Sequence, residues 1–241
     1  MNLTWTAGKT SISELSLEDR ANYLGLVVPE EEKAMIQEMT ERDRLLAGKA
    51  GTISIYPTQW DWRDVSGNDW TTPVKDQKQC GSCVAFATVA AIEANLEIFK
   101  RDPALDPDLS EADLFFRGCG DCCGRGWTFI PALRYAQSSG IPDEDCNPYQ
   151  GNSTGSCPDR GKRVVKIENW RTITNSNQVK EWLSQRGPLI GGMSVYEDFF
   201  YYEKGVYQNA YGGYVGDHAV CIVGYDDARG CWICKNSWGR G

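Results

Sequence analysis

The stretch Gln77-Lys78-Gln79-Cys80-Gly81-Ser82-Cys83-Val84-Ala85-Phe86-Ala87 decides how the rest of this chain is read. From residue 85 to 100, Ala, Val, Ile, Leu and Phe recur with the spacing of a buried helix. Gly81 and Ser82 stand where the chain must turn tightly and a helix needs an N-cap. Cys83 then falls in the first helical turn, where unpaired N–H groups and the macrodipole favour a negative charge. The thiolate is the reactive form of cysteine, and such a setting lowers its pKa. Cys83 reads equally as a small buried hydrophobe, the commoner state of a free cysteine. This stretch alone leaves both open.

Two later stretches bear on that choice. The single histidine, His218, lies in Gly216-Asp217-His218-Ala219-Val220-Cys221, and Cys234-Lys235-Asn236-Ser237-Trp238-Gly239 follows. Cys-Gly-Ser-Cys, a distant His-Ala-Val and then Lys-Asn-Ser-Trp-Gly resembles the papain-like cysteine peptidases, over residues 57–241. The resemblance implies an α+β class and a papain-like two-lobe fold. A helical lobe would cover about 73–163 and a β-barrel-like lobe about 57–72 and 164–241, with the cleft between them. It implies a cysteine-type endopeptidase with Cys83 as thiolate nucleophile, His218 as general acid and base, Asn236 orienting the imidazole and Gln77 donating to the oxyanion. Trp238 would cover the His218–Asn236 bond. Gly81, Ser82, Gly126, Trp127, Gly192, Ala219 and Trp238 would line the substrate cleft. Arg125 stands where the family has glycine, and Val84 where it has tryptophan.

Each of these residues also has a plain structural reading: His218 hydrogen-bonded in a core, Gln77 on the surface, Asn236 in a turn, Trp238 as packing. Two other functions fit parts of the pattern. One is a different Cys–His acyl transferase of the transglutaminase-like kind, and the other is a non-enzymatic relative that binds peptides.

Composition narrows the partners. A net charge of −8 argues against nucleic acid and anionic membranes. No apolar run reaches the roughly 18 residues that span a bilayer. Polypeptide substrates, no cofactor, no metal and a monomeric state are expected. Ten cysteines point to secretion or another oxidising compartment, although no signal peptide opens the chain. The resemblance implies disulfides Cys80–Cys123 and Cys119–Cys157, and Cys122–Cys146 is a possible third. Cys221, Cys231 and Cys234 read as buried thiols in apolar runs. A zinc site on Cys119, Cys122 and Cys123 is the competing reading.

Residues 1–56 differ in character, being free of cysteine. A charged helical pattern runs over 29–46, acidic at its start and basic towards its end, until Gly48 and Gly51 break it. Ser13-Glu14-Leu15-Ser16-Leu17-Glu18-Asp19 resembles part of the family's inhibitory pro-segment, which implies a zymogen plugged by its own N-terminus. A surface extension is the alternative. Helices are also expected from Ser110 and over 129–139 and 176–185, and strands over 164–170, 189–195, 219–225 and 231–236. The family continues past Gly239 with further strands, so a truncated C-terminus is expected.

Overall fold

The computed structural model describes residues 4–47, 56–151 and 155–240; Gly48 and Gly51 lie outside them. Its centre is α3 (Cys83–Lys100), which is apolar almost all round. Such a helix must be covered on several sides. One side packs Val84, Ala85, Ala87 and Val89 against Leu114, Phe115, Ala132 and Ala136, the last two from α4 (Phe129–Ser138). Another packs Ala90 and Ala91 against Trp62, Cys221 and Val223. Ser82 holds the N-cap position without capping, because its hydroxyl bonds Tyr149 Oη at 2.7 Å.

The sheet is built on β5 (Tyr214–Asp226). β3 (Leu189–Tyr196) and β2 (Gln59–Asp61) pair with successive parts of one edge, and β6 (Cys231–Lys235) pairs with the other. All pairings are antiparallel, with Met193 opposite His218 and Lys235 opposite Cys221. The mixed helix-and-sheet plan is as the sequence implies. The β-barrel-like lobe is not: among the described residues this sheet is open, and its four strands are too few to close. The expected strand over 164–170 is also absent. Val165 makes one bridge to Ile141, while Val165 and Ile167 pack on the helical core instead of a sheet. α5 (Ser176–Gln185) forms where expected, capped by Asn175.

Three disulfides staple the helical side: Cys80–Cys123, Cys119–Cys122 and Cys146–Cys157. The first is the implied pairing. The other two replace Cys119–Cys157 and Cys122–Cys146, because local turns bring nearer partners together. Gly120, with φ +81°, lets the chain reverse so that Cys122 N–H reaches its carbonyl. Gly155 N–H bonding Asn147 Oδ1 folds the 146–157 loop on itself. Cys119, Cys122 and Cys123 are thus all spent on sulfur, against the zinc reading. Cys221 is a buried thiol as expected, whereas Cys231 is half-buried and Cys234 exposed. Cys234 shares the outward side of β6 with Trp232.

The N-terminal segment wraps this body. β1 (Trp5–Ala7) pairs with β4 (Tyr202–Gly205) as a separate two-stranded sheet. α1 (Leu17–Ala21) is capped by Ser16, and α2 (Glu30–Ala47) touches the far side through Asp43 and Thr174. Residues 22–29 join the two helices across the tip of α3.

Ser110 caps a π-helical turn, Asp113–Arg117, as its sequence suggests. Asp113 is fully buried and takes two bonds from Arg160, at 2.6 and 2.8 Å, and one from Tyr135 at 3.0 Å. Asp113→Ala leaves the guanidinium without its counter-charge. We expect a loss of about 3 kcal/mol, read from the midpoint and slope of a urea melt; an unchanged midpoint refutes this role.

Candidate active site

The first turn of α3 meets the middle of β5. Ala219 N–H points at Cys83 Sγ at 3.4 Å, so the residue after His218 touches the sulfur. Both Cys83 and His218 are fully buried. His218 Nε2–H donates to Asn236 Oδ1 at 2.8 Å, an oxygen that also accepts Ser237 N–H. An amide oxygen can only accept, so the proton sits on Nε2 and Nδ1 is left bare and buried. The Trp238 indole lies 4.7 Å from the imidazole and is backed by Phe200. It shields the His218–Asn236 bond from water, which strengthens that bond.

Gln77 is held from both sides. Its backbone N–H donates to Ser237 O, and its Oε1 accepts Ser237 Oγ at 2.7 Å. The side-chain Nε2 donates to Cys80 O at 2.9 Å and to Tyr23 O at 3.0 Å. Tyr149 Oη donates to Gln77 O, joining Gln77 to Ser82. Neither Tyr149 nor Ser237 was expected at the site. Nothing in a lone tyrosine distant in sequence signals such a role.

Residues 23–27 lie directly over these groups. Trp127 N–H donates to Gly25 O at 2.7 Å, Val27 N–H to Trp127 O at 2.8 Å, and Leu26 N–H to Asp217 O at 3.2 Å. A Cβ on Gly25 would stand 2.0 Å from Gly81 O, so only glycine fits between the segment and the α3 tip. Leu26 packs with Trp127, Ala219 and Cys83, and its Cδ2 lies 2.5 Å from where a Cβ on Gly192 would be. Tyr23 sets its ring against Trp238. Gly81, Gly126, Trp127, Gly192, Ala219 and Trp238 therefore line the strip that the segment covers. Ser82, between Gly81 and Cys83, is buried with its hydroxyl bonded to Tyr149. Trp127 makes the backbone pairs, while Gly126, at φ +69°, gives Gly25 room to approach. The sequence did carry a signal for this crossing. Tyr23-Leu24-Gly25-Leu26-Val27-Val28 is an apolar run with one glycine, just before Pro29.

Covering the site changes its charge. Burial pushes the Cys83 thiol up to about 12, against the Ala219 and Gly25 N–H groups, which favour the thiolate. Burial also pushes His218 down to about 4, against its bond to Asn236 and the nearby Tyr23 carbonyl. Burial thus works against the expected thiolate–imidazolium pair while residues 23–27 lie over it, because neither charge has water to solvate it.

A protein-family model described as papain family cysteine protease matches residues 56–241. The Giardia intestinalis protein named Cathepsin B-like CP3 is 31% identical over 262 residues, spanning 99% of this chain and 81% of that one. Cathepsin K of Gallus gallus is 32% identical, over 90% of this chain and 67% of its own. Among solved structures, proCathepsin B S9 from Trypanosoma congolense superposes with a TM-score of 0.72 at 21% identity, covering 98% of this chain and 82% of its own. Procathepsin L2 from the Tenebrio molitor larval midgut gives 0.72 at 27% identity, over 98% and 75%. The chain belongs to the papain family of cysteine proteases, and it is a cysteine peptidase.

The Gly25 contact yields a direct test. Gly25→Ala forces the segment off Gly81 at an overpacking cost of about 1–3 kcal/mol, so Cys83 in the full chain should react with a small alkylating agent about tenfold faster or more. Alkylation followed by mass spectrometry measures it; an unchanged rate shows that the crossing does not control access.

Proposed function

We propose that this peptidase is an endopeptidase acting through Cys83, and that the chain up to about residue 56 holds it latent as a zymogen. One observation carries the reading: residues 23–27 bury Cys83, His218 and Gln77 together, with Tyr23 O taking the bond that Gln77 Nε2 would give an oxyanion. The proform structures among the structural relatives support it. Residues 57–241 would form the peptidase domain. Three disulfides favour an oxidising compartment, and secretion is the simplest route there.

With the segment gone, water reaches both ring and sulfur, and proton transfer from Cys83 to His218 Nδ1 gives the reactive pair. The thiolate attacks the substrate carbonyl, and Gln77 Nε2 with the Cys83 N–H stabilises the oxygen that becomes negative. His218 gives its proton to the leaving amine. Water, deprotonated by His218, then cleaves the acyl-enzyme, releasing the acid and the free thiol. Asn236 keeps the proton on Nε2, so that Nδ1 faces the sulfur throughout. An extended polypeptide would replace the segment, with one apolar side chain where Leu26 now sits.

Labelling with a thiol-reactive peptide epoxide tests the assignment. We expect modification at Cys83 alone, only after residues 1–56 have been clipped. Cys83→Ser should abolish it and His218→Ala should slow it about a hundredfold or more. Labelling at another cysteine overturns the reading.

The closed arrangement should also respond to acid. A histidine whose pKa is depressed from 6.5 to about 4 contributes stability that is complete above 6.5 and is lost as pH falls through 4. A thiol raised from 9.0 to about 12 contributes stability that is complete below 9 and lost above it. Amide exchange at residues 23–27, corrected for intrinsic rate, should accelerate between pH 6.5 and 4. His218→Gln should flatten that rise; an equal rise in the variant rules out the histidine as its source.

A further inference from the structure

Beyond the cleft, the wall that grips the segment carries a short-range disulfide. Cys119-Gly120-Asp121-Cys122 closes on itself as a disulfide with a sequence separation of 3, against 11 and 43 for the other two bridges. A cross-link stabilises a fold mainly by restricting the unfolded chain, and the gain grows with the loop it closes. The smallest loop adds least, and by the reciprocal argument the fold protects that bond least from reduction. Stability is therefore a poor reason for this bridge.

Its surroundings suit exchange chemistry. Each of the three bridges joins one buried and one half-buried cysteine, so burial does not separate them. Charge does: Arg125 Nη2 lies 3.7 Å from Cys122 Sγ, where it would stabilise a thiolate leaving from that atom. Open space flanks the pair as well, since nothing lies within 4 Å of a Cβ position at Gly120 or Gly124. The Cys122 carbonyl holds the next turn, accepting Arg125 N–H at 3.0 Å and Gly126 N–H at 2.8 Å. That turn presents Trp127, whose N–H and carbonyl hold Gly25 and Val27.

We propose that Cys119–Cys122 is a thiol–disulfide exchange site for small thiols and dithiols, and that its redox state sets how firmly the cleft wall holds residues 25–27. A thiolate of the incoming dithiol attacks Cys119 Sγ. A new S–S bond forms as the Cys119–Cys122 bond breaks, and its electron pair leaves on Cys122 Sγ beside Arg125. The second thiolate of the reagent attacks its own sulfur in the mixed disulfide, expelling Cys119 as thiolate. Two electrons pass to the protein pair, and the reagent departs as a cyclic disulfide. With the bond cut, Cys80–Cys123 and the Gly81 N–H bond to Cys123 O are what still tie that turn to the α3 tip.

The site is independent of the proposed catalytic roles, because its readouts are alkylation and amide exchange. The full chain is equilibrated anaerobically with mixtures of reduced and oxidised glutathione, alkylated, and mapped by mass spectrometry. Cys119 and Cys122 should become reduced together in a mixture about tenfold less reducing than Cys80–Cys123 or Cys146–Cys157 requires. Arg125→Ala should slow their exchange with dithiothreitol several-fold, and Arg125→Lys should restore most of the rate. In the Cys119→Ser, Cys122→Ser chain, amide exchange at Gly25–Val27 should speed up about tenfold while α5 is unchanged. Reduction of all three bridges together, or of this one last, overturns the exchange site. Unaltered protection of residues 25–27 in the doubly substituted chain overturns its hold on the cleft.

Discussion

The arrangement hangs on the junction between the first turn of α3 and the middle of β5, where Ala219 N–H meets Cys83 Sγ. α3 is apolar nearly all round, so the fold must bury it, and only its N-terminal end reaches the cleft. β5 is fixed by three partners at once. Because side chains alternate along a strand, a slip of one residue against β3 or β6 would turn His218 to the opposite side of the sheet. The sulfur, the imidazole and the amide of Asn236 thus come together by helix burial and sheet register, with no direct covalent tie among them.

A buried charge knot stiffens the same region from behind. Lys75 Nζ lies 3.0 Å from Glu93, 2.6 Å from Asp108 and 2.9 Å from Glu111. Burial alone would push its ammonium down, but Glu111, Glu93 and Asp108 hold it above the usual lysine range. Burial pushes Glu111 up to about 8, with Lys75 opposing. Thr72 donates to Glu93 and accepts from Lys235, the residue before Asn236. The irregular stretch leading to Gln77 and the strand β6 leading to Asn236 are therefore cross-braced. Desolvating such groups is costly, and removing one partner would leave the others uncompensated.

What could be read from the chain alone followed a physical divide. The helices at 83, 129 and 176 and the strands at 189, 219 and 231 were legible because their patterns are local, although the middle strand begins earlier, at Tyr214. That Cys83, His218, Asn236 and Gln77 would meet in one place was legible from the order of their short motifs, through the resemblance those motifs carry. Partners chosen by closure of loops were not. Cys119 found Cys122, and Cys146 found Cys157, through turns at Gly120 and Asn147 that no spacing encodes. The burial of Cys83 and His218 away from water was equally hidden, since it comes from a cover supplied by residues distant in sequence. The inhibitory resemblance was placed at residues 13–19, whereas the groups that fill the cleft are Tyr23 to Val27.

The segment over the cleft is also fastened away from it, by β1 as an extra strand on β4 and by α2 near Thr174. Scission of the chain after α2 would remove the covalent link but none of these contacts. What had been a tethered ligand, present at a fixed and high effective concentration, would become a free one subject to mass action. Opening of the cleft would then depend on dilution and on destruction of the released peptide, so a crowded compartment would delay the onset of activity and a dispersed one would hasten it.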